Sequence, residues 1–197
     1  MNKYFFYHVI TITILFLIFS FSFLQAQIPN DGFEKWDKGS PAGWWMNNKS
    51  VLHFLPVERT ADAHSGKYAV KGTVKPMGNA MSSAPVIYTG SLKNKKFTIS
   101  RRYPGISGYY KLKPVKDDQF VASVMMFKNG RQIGRGIKYF QAAKRYTRFK
   151  VEVKYKSKSV PDKCELLFTI YPSFGSEDKM QVHKGSVMFL DDLSFMK

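Results

Sequence analysis

Thr147-Arg148-Phe149-Lys150-Val151-Glu152-Val153-Lys154-Tyr155-Lys156-Ser157-Lys158 decides the fold class. Phe149, Val151, Val153 and Tyr155 alternate with Arg148, Lys150, Glu152, Lys154, Lys156 and Lys158. A period of two places the first set on a core and the second in solvent, which is the pattern of a half-buried β-strand. Working outward, short runs rich in Val, Ile, Phe, Tyr and Thr recur between Gly, Pro, Asn, Asp and Ser punctuation, as in an all-β sandwich. The runs fall near Val51–Val57, Lys67–Val74, Val86–Tyr88, Lys96–Ser100 and Ser107–Lys113. Others fall near Gln119–Phe127, Gln132–Phe140, Thr147–Tyr155, Glu165–Tyr171 and Ser186–Phe195. Asn129-Gly130 predicts a tight hairpin, because both residues tolerate positive φ. Gly134 and Gly136 flank Arg135 and predict a bulge or a close backbone approach. No 3.6-residue period persuades in the remainder of the chain.

The N-terminus reads differently. Met1-Asn2-Lys3 is a short positive segment, Tyr4–Phe23 is almost wholly apolar or hydroxylic, and Leu24-Gln25-Ala26 offers a small residue for cleavage. Residues 1–26 are expected to be a signal peptide. The apolar run is also long enough to span a bilayer if it is retained. The turn-rich Ile28-Pro29-Asn30-Asp31-Gly32 favours cleavage, after which no membrane span is expected. The mature protein, residues 27–197, is the size of one domain and is expected in the periplasm, at the cell surface or outside the cell.

Cys164 is the single cysteine, so an internal disulfide is excluded and stability rests on packing or a metal. The charge is unevenly placed. Residues 93–158 hold 19 Lys/Arg against 3 Asp/Glu, while residues 27–92 hold 7 against 5 and residues 159–197 hold 4 against 6. A field of one sign in one segment points to a polyanionic partner or surface. A row of long cationic side chains also discourages edge-to-edge aggregation, and the stripe at Thr147–Lys158 serves either role.

Several short motifs in order carry a resemblance. Asn30-Asp31-Gly32-Phe33-Glu34, Pro41-Ala42-Gly43-Trp44, His64-Ser65-Gly66-Lys67-Tyr68-Ala69-Val70 and Leu190-Asp191-Asp192-Leu193-Ser194-Phe195 resemble galactose-binding-like jelly rolls, the fold of many carbohydrate-binding modules. Tyr103-Pro104-Gly105-Ile106-Ser107-Gly108-Tyr109-Tyr110-Lys111-Leu112 resembles the signature of the "putative carbohydrate metabolism domain" of Bacteroidetes surface proteins. Pro161-Asp162 and Lys184-Gly185-Ser186 suit the same family. The resemblance implies a jelly-roll β-sandwich over nearly the whole mature chain.

It also implies a structural calcium. Matched by motif, its ligands are Glu34 and Asp191, with main-chain oxygens near Ser65 and Lys67. Carboxylates and carbonyls supply the six to eight hard oxygens that Ca²⁺ takes. Without the ion, Asp191 and Asp192 would face solvent or cap a turn.

Sugar binding in such folds uses aromatic faces against pyranose C–H patches. In an extended segment only one of Trp44 and Trp45 faces inward. Trp44 is expected in the core, leaving Trp45, then Trp36, as stacking platforms. Tyr103, Tyr109, Tyr110 and Tyr139 lie among the cations and are further candidates, although a sandwich of this size also needs large core residues. Arg101-Arg102 and Lys93-Asn94-Lys95-Lys96 suit carboxylate or sulfate groups, arginine as a bidentate fork and lysine as a point charge.

Enzyme chemistry finds little support. Asp117 and Asp118 are adjacent rather than opposed, and a glycosidase needs two carboxylates across the scissile bond. His53, His64 and His183 follow no metal-site spacing, and no nucleophile elbow occurs. No nucleic-acid-binding motif is present. The expectation is an exported, noncatalytic glycan-binding domain, with an acidic polysaccharide as partner. The alternatives are an envelope adaptor that binds an acidic protein or lipopolysaccharide, and a glycan-processing enzyme.

Overall fold

The computed structural model describes residues 28–78, 81–173 and 181–197; the expected signal peptide lies outside them. The described residues are all-β, apart from one 3₁₀ turn at Ser50–Leu52. Two antiparallel sheets face each other. The first has five strands in the order β13 (Ala143–Glu152), β10 (Gly105–Lys113), β16 (Val187–Phe195), β5 (Ala69–Thr73), β4 (Val57–Thr60). The second runs β14 (Lys154–Tyr155), β12 (Arg131–Phe140), β11 (Gln119–Lys128), β15 (Lys163–Tyr171), β8 (Val86–Thr89), β3 (Trp44–Met46), with β9 (Phe97–Thr98) also on β15. Two small hairpins complete the set, β1 (Trp36–Asp37) with β2 (Ser40–Pro41) and β6 (Lys75–Met77) with β7 (Met81–Ser83).

Alternation fills the space between the sheets. Phe149 and Val151 of β13 are 1% exposed, as their period requires, and Phe149 meets Tyr110, Phe120 and Phe168 in an aromatic centre. Trp44 is buried and its Nε1 donates to the Pro29 carbonyl at 2.7 Å, which satisfies its one polar group inside the core. Cys164 is fully buried, and desolvation, helped by the Glu165 charge, raises its thiol pKa far above the usual range; it is a packing residue. Asn129 and Gly130 take φ of 48° and 79° and close the β11–β12 hairpin.

The expected strand at Thr147–Tyr155 is broken in two. β13 pairs with β10 in the first sheet, and after Val153 the chain pairs as β14 with Gly134 and Arg135 of β12 in the second. This crossing closes one flank of the sandwich over β12. A Cβ on Gly136 would collide with the Glu152 carbonyl oxygen, so the glycine is required by close backbone approach. The expected strand at Val51–Val57 is also corrected. Val51 and Leu52 lie in the 3₁₀ turn, 91% and 67% exposed, and pairing starts at Val57. His53 adopts φ 49° and Pro56 lacks an N–H, which together stop a ladder there.

Candidate functional site

Core-facing Trp44, Ile87, Phe168 and Ala122 turn their sequence neighbours to the outer face of the seven-stranded sheet. Register then lines up Trp45, Tyr88, Leu167, Ser123 and Ile137 across β3, β8, β15, β11 and β12. Five strands at the usual spacing make this row about 19 Å long. Trp45 is half-buried and stacks on Tyr88, ring centroids 4.5 Å apart and 17° from parallel. The Lys95 ammonium lies 4.3 Å from the Tyr88 centroid. The next row places Glu165 beside Met125 and Arg135, and a third places Thr169 and Val121 beside Tyr139. Tyr139 packs edge-on against Tyr171 at 6.4 Å.

Two polar groups on this face are unsatisfied by protein. Glu165 is 8% exposed, and its carboxylate has no hydrogen bond or ion pair with any described residue. Tyr88 Oη is buried without a hydrogen-bond partner. Desolvation, then the nearby Glu165 charge, raises the Tyr88 pKa, so its hydroxyl stays a donor at neutral pH. The buried Tyr88 hydroxyl, and the unpaired carboxylate on the same face, are groups that a polar ligand would satisfy.

The residues expected to bind sugar do not converge. Trp45 and Tyr139 share this face with Tyr88, Tyr171 and Glu165, which sequence reading did not select. Period two marked β15 as a strand, but nothing local told which alternate residues lacked partners. Trp36 lies instead on a groove of about 750 Å³ beside Asn48, Glu58 and Arg59, its Nε1 donating to the Phe33 carbonyl at 2.5 Å. Arg101 and Arg102 border a separate pocket of about 540 Å³ near Phe195. Arg102 sits 3.7 Å from the Tyr155 ring centroid and donates to the Ser157 carbonyl. Tyr103 is corrected to a core residue, 3% exposed just ahead of β10, because its ring stacks on Phe195 at 3.8 Å. Tyr110 is likewise buried in the core. Tyr109 is half-buried, its ring covered by His64 at 3.6 Å on the five-stranded sheet.

The four residues proposed for calcium meet at one turn. Glu34 Oε1 accepts the amides of Lys67 and Tyr68 at 2.9 and 3.1 Å, and a Cβ on Gly66 would collide with that oxygen. Asp191 Oδ2 accepts the amides of His64 and Ser65 at 2.8 and 3.3 Å. Adjacent residues of a regular strand point opposite ways, yet Asp192 also reaches this turn, at Ser65 Oγ and His64 Nδ1. An extra residue in β16, with φ 47° at Asp192, makes the bulge that aims both. Asp191 is fully buried, and burial, foremost, lifts its pKa to about 6. Neither Glu34 nor Asp191 has an ion-pair partner among the described residues; backbone amides hold both carboxylates.

His183, remote in sequence from Asp118, accompanies it in space. Asp118 is buried, and its oxygens meet the His183 amide and ring at 2.9 Å and Ser186 Oγ at 2.5 Å. The network ties the loop before β11 to the loop before β16.

No protein-family model matches the chain, and no curated protein matches it. Solved structures do. A provisionally assigned glycoside hydrolase from Bacteroides thetaiotaomicron superposes with a TM-score of 0.59 at 13% identity, over 87% of this chain and 69% of that one. A family 61 carbohydrate-binding module in complex with β-1,4-galactotriose gives 0.50 at 12% identity, over 86% and 97%. The fold is a jelly-roll β-sandwich. A family 28 module specific for non-crystalline cellulose agrees, at 0.50 and 12% identity over 87% and 95%. At such identities the jelly roll is what the chains share, and the face with Trp45 and Glu165 is read from its own residues.

Proposed function

We propose that this jelly roll is an exported, noncatalytic glycan-binding domain and that the outer face of its seven-stranded sheet is the binding site. The observation that carries the reading is the buried, unpartnered Tyr88 Oη with the unpaired Glu165 carboxylate on the same face, beside the half-buried Trp45 ring. A pyranose offers apolar C–H patches for the indole and hydroxyls for the polar groups: the carboxylate accepts, and the phenol donates. Glycan-binding modules among the similar folds support this reading.

The finer preference is for an acidic glycan. Glu165 suits uncharged hydroxyls at the centre of the face, while Lys95 and Arg135 border it and suit carboxylate or sulfate groups. We also propose a structural Ca²⁺ held by Glu34 and Asp191 with main-chain oxygens near Ser65 and Lys67, which would tie the N-terminal segment to β16 in a fold without disulfides. Hydrolysis is disfavoured at the Trp36 groove, where Glu58 is the single lining carboxylate and pairs with Lys71 at 2.7 Å.

A glycan array with the full chain and a Trp45→Ala variant tests the proposal. Binding of at least one glycan that the variant loses supports it. Release of reducing ends from a polysaccharide would replace it with an enzyme.

A further inference from the structure

The crossing from β13 to β14 sets three basic strands along one flank of the sandwich. Between Arg131 and Lys158 all ten lysines and arginines are exposed, against one acid, Glu152. Among the described residues none of the ten forms an ion pair. Protection of a sheet edge does not require this arrangement. Charges of alternating sign would protect equally well and would attract rather than repel one another. Like charges kept this close weaken the fold unless a counter-charge is supplied from outside.

We infer that this flank is a second binding surface, for a linear polysaccharide that repeats a carboxylate or sulfate along its length. The inference rests on the reading of an acidic-glycan-binding domain and adds the linear, regularly charged form of that glycan and the place where its charge is read. β13 is ten residues long, about 33 Å at the usual rise, with same-face residues about 6.6 Å apart. Arg148 and Lys150 are same-face neighbours on it, and Lys144 and Arg145 precede them at an irregularity in the register. Lys154, Lys156 and Lys158 continue the cations past Glu152, a series suited to a chain of recurring anionic groups. A bilayer would call for apolar side chains to insert among the cations. Ile137 is the one large exposed hydrophobic residue of this flank, so a polymer suits it better than a lipid surface. The flank adjoins the sheet-face site at Arg135 and Ile137 of β12, so one acidic polymer can engage the face by stacking and the flank by charge.

Titrations of the full chain with polygalacturonate, its methyl-esterified neutral form and phosphatidylglycerol vesicles test the inference, in low and high salt. The triple variant Arg145→Glu, Arg148→Glu, Lys150→Glu leaves the sheet-face site untouched. For the intact chain, polygalacturonate affinity is expected to fall about tenfold or more from 50 to 200 mM salt, since each released counterion adds to the slope. The triple variant is expected to bind polygalacturonate at least about tenfold more weakly, a loss that scales with the attractions removed, while its melting temperature holds or rises as repulsion among the cations is relieved. Equal affinity for the acidic and esterified polymers, an unaffected triple variant, or binding of vesicles alone would each overturn it. Loss of the esterified polymer with retention of polygalacturonate would count against the sheet-face site while upholding the flank.

Discussion

Trp45 lies almost flat on Tyr88, with ring centroids 4.5 Å apart, at one end of a side-chain row that crosses five strands. The stack holds the indole in place before any ligand arrives, so little rotamer freedom is lost on binding. Trp45→Ala is expected to lower glycan affinity about tenfold or more, which corresponds to about 1.4 kcal/mol. The same change forfeits an aromatic pair worth about 0.5–1.5 kcal/mol, so the melting temperature falls only modestly. Calorimetric titration and a thermal melt separate the two effects.

Glu165→Gln keeps the side-chain size and removes its charge. A hydrogen bond to a charged group contributes about 1.5–3 kcal/mol, so binding is expected to weaken by about tenfold or more. Stability should hold, because the carboxylate has no partner among the described residues to lose. Lower stability together with unchanged binding would show that Glu165 serves the fold and not a ligand.

Asp191 gives the fold a pH dependence of unusual sign. Its carboxyl keeps its proton to about pH 6 in the folded state, whereas an unfolded aspartate releases it near about 4. Protonation therefore stabilises the fold: the contribution is complete below about pH 4 and is lost as pH rises through about 6. In chelator, the melting temperature should rise as pH falls from about 7 towards about 5, and Asp191→Asn should flatten that rise. Calcium binds the ionised carboxylate, so its stabilisation should appear at neutral pH and fade below about pH 6. A melting curve indifferent to Ca²⁺ at neutral pH would remove the ion from the account.

Gly136→Ala should cost about 1–3 kcal/mol, because the new methyl group meets the Glu152 carbonyl where the chain crosses between sheets. Urea unfolding measures it. Gly130→Ala is the comparison: its Cβ would meet nothing within 4 Å, though its φ of 79° still carries strain. Collision must therefore outweigh backbone strain for the Gly136 prediction to hold.

Much of this fold is written locally. The alternation at Phe149 and Val151 marked β13, Asn129-Gly130 marked the hairpin, and the two glycines around Arg135 marked a close approach. Local pattern did not reveal the break at Val153, because a strand that changes sheets keeps its period. It also overread Val51–Val57, where apolar residues sit exposed in a 3₁₀ turn. The candidate site was less legible. Trp45 and Tyr139 were chosen as aromatics, but their neighbourhood depends on register across β8, β15 and β11. Tyr103 looked like Tyr139 in sequence and lies in the core instead. Glu165 carried no local signal, since the absence of a partner is a property of the assembled sheet.

The most direct test of the central claim is a glycan array that compares the intact chain with Trp45→Ala, Glu165→Gln and Trp36→Ala. Binding by the intact chain that both sheet-face variants lose and Trp36→Ala retains is the predicted result. A blank array for the intact chain, or binding lost only with Trp36, would contradict it.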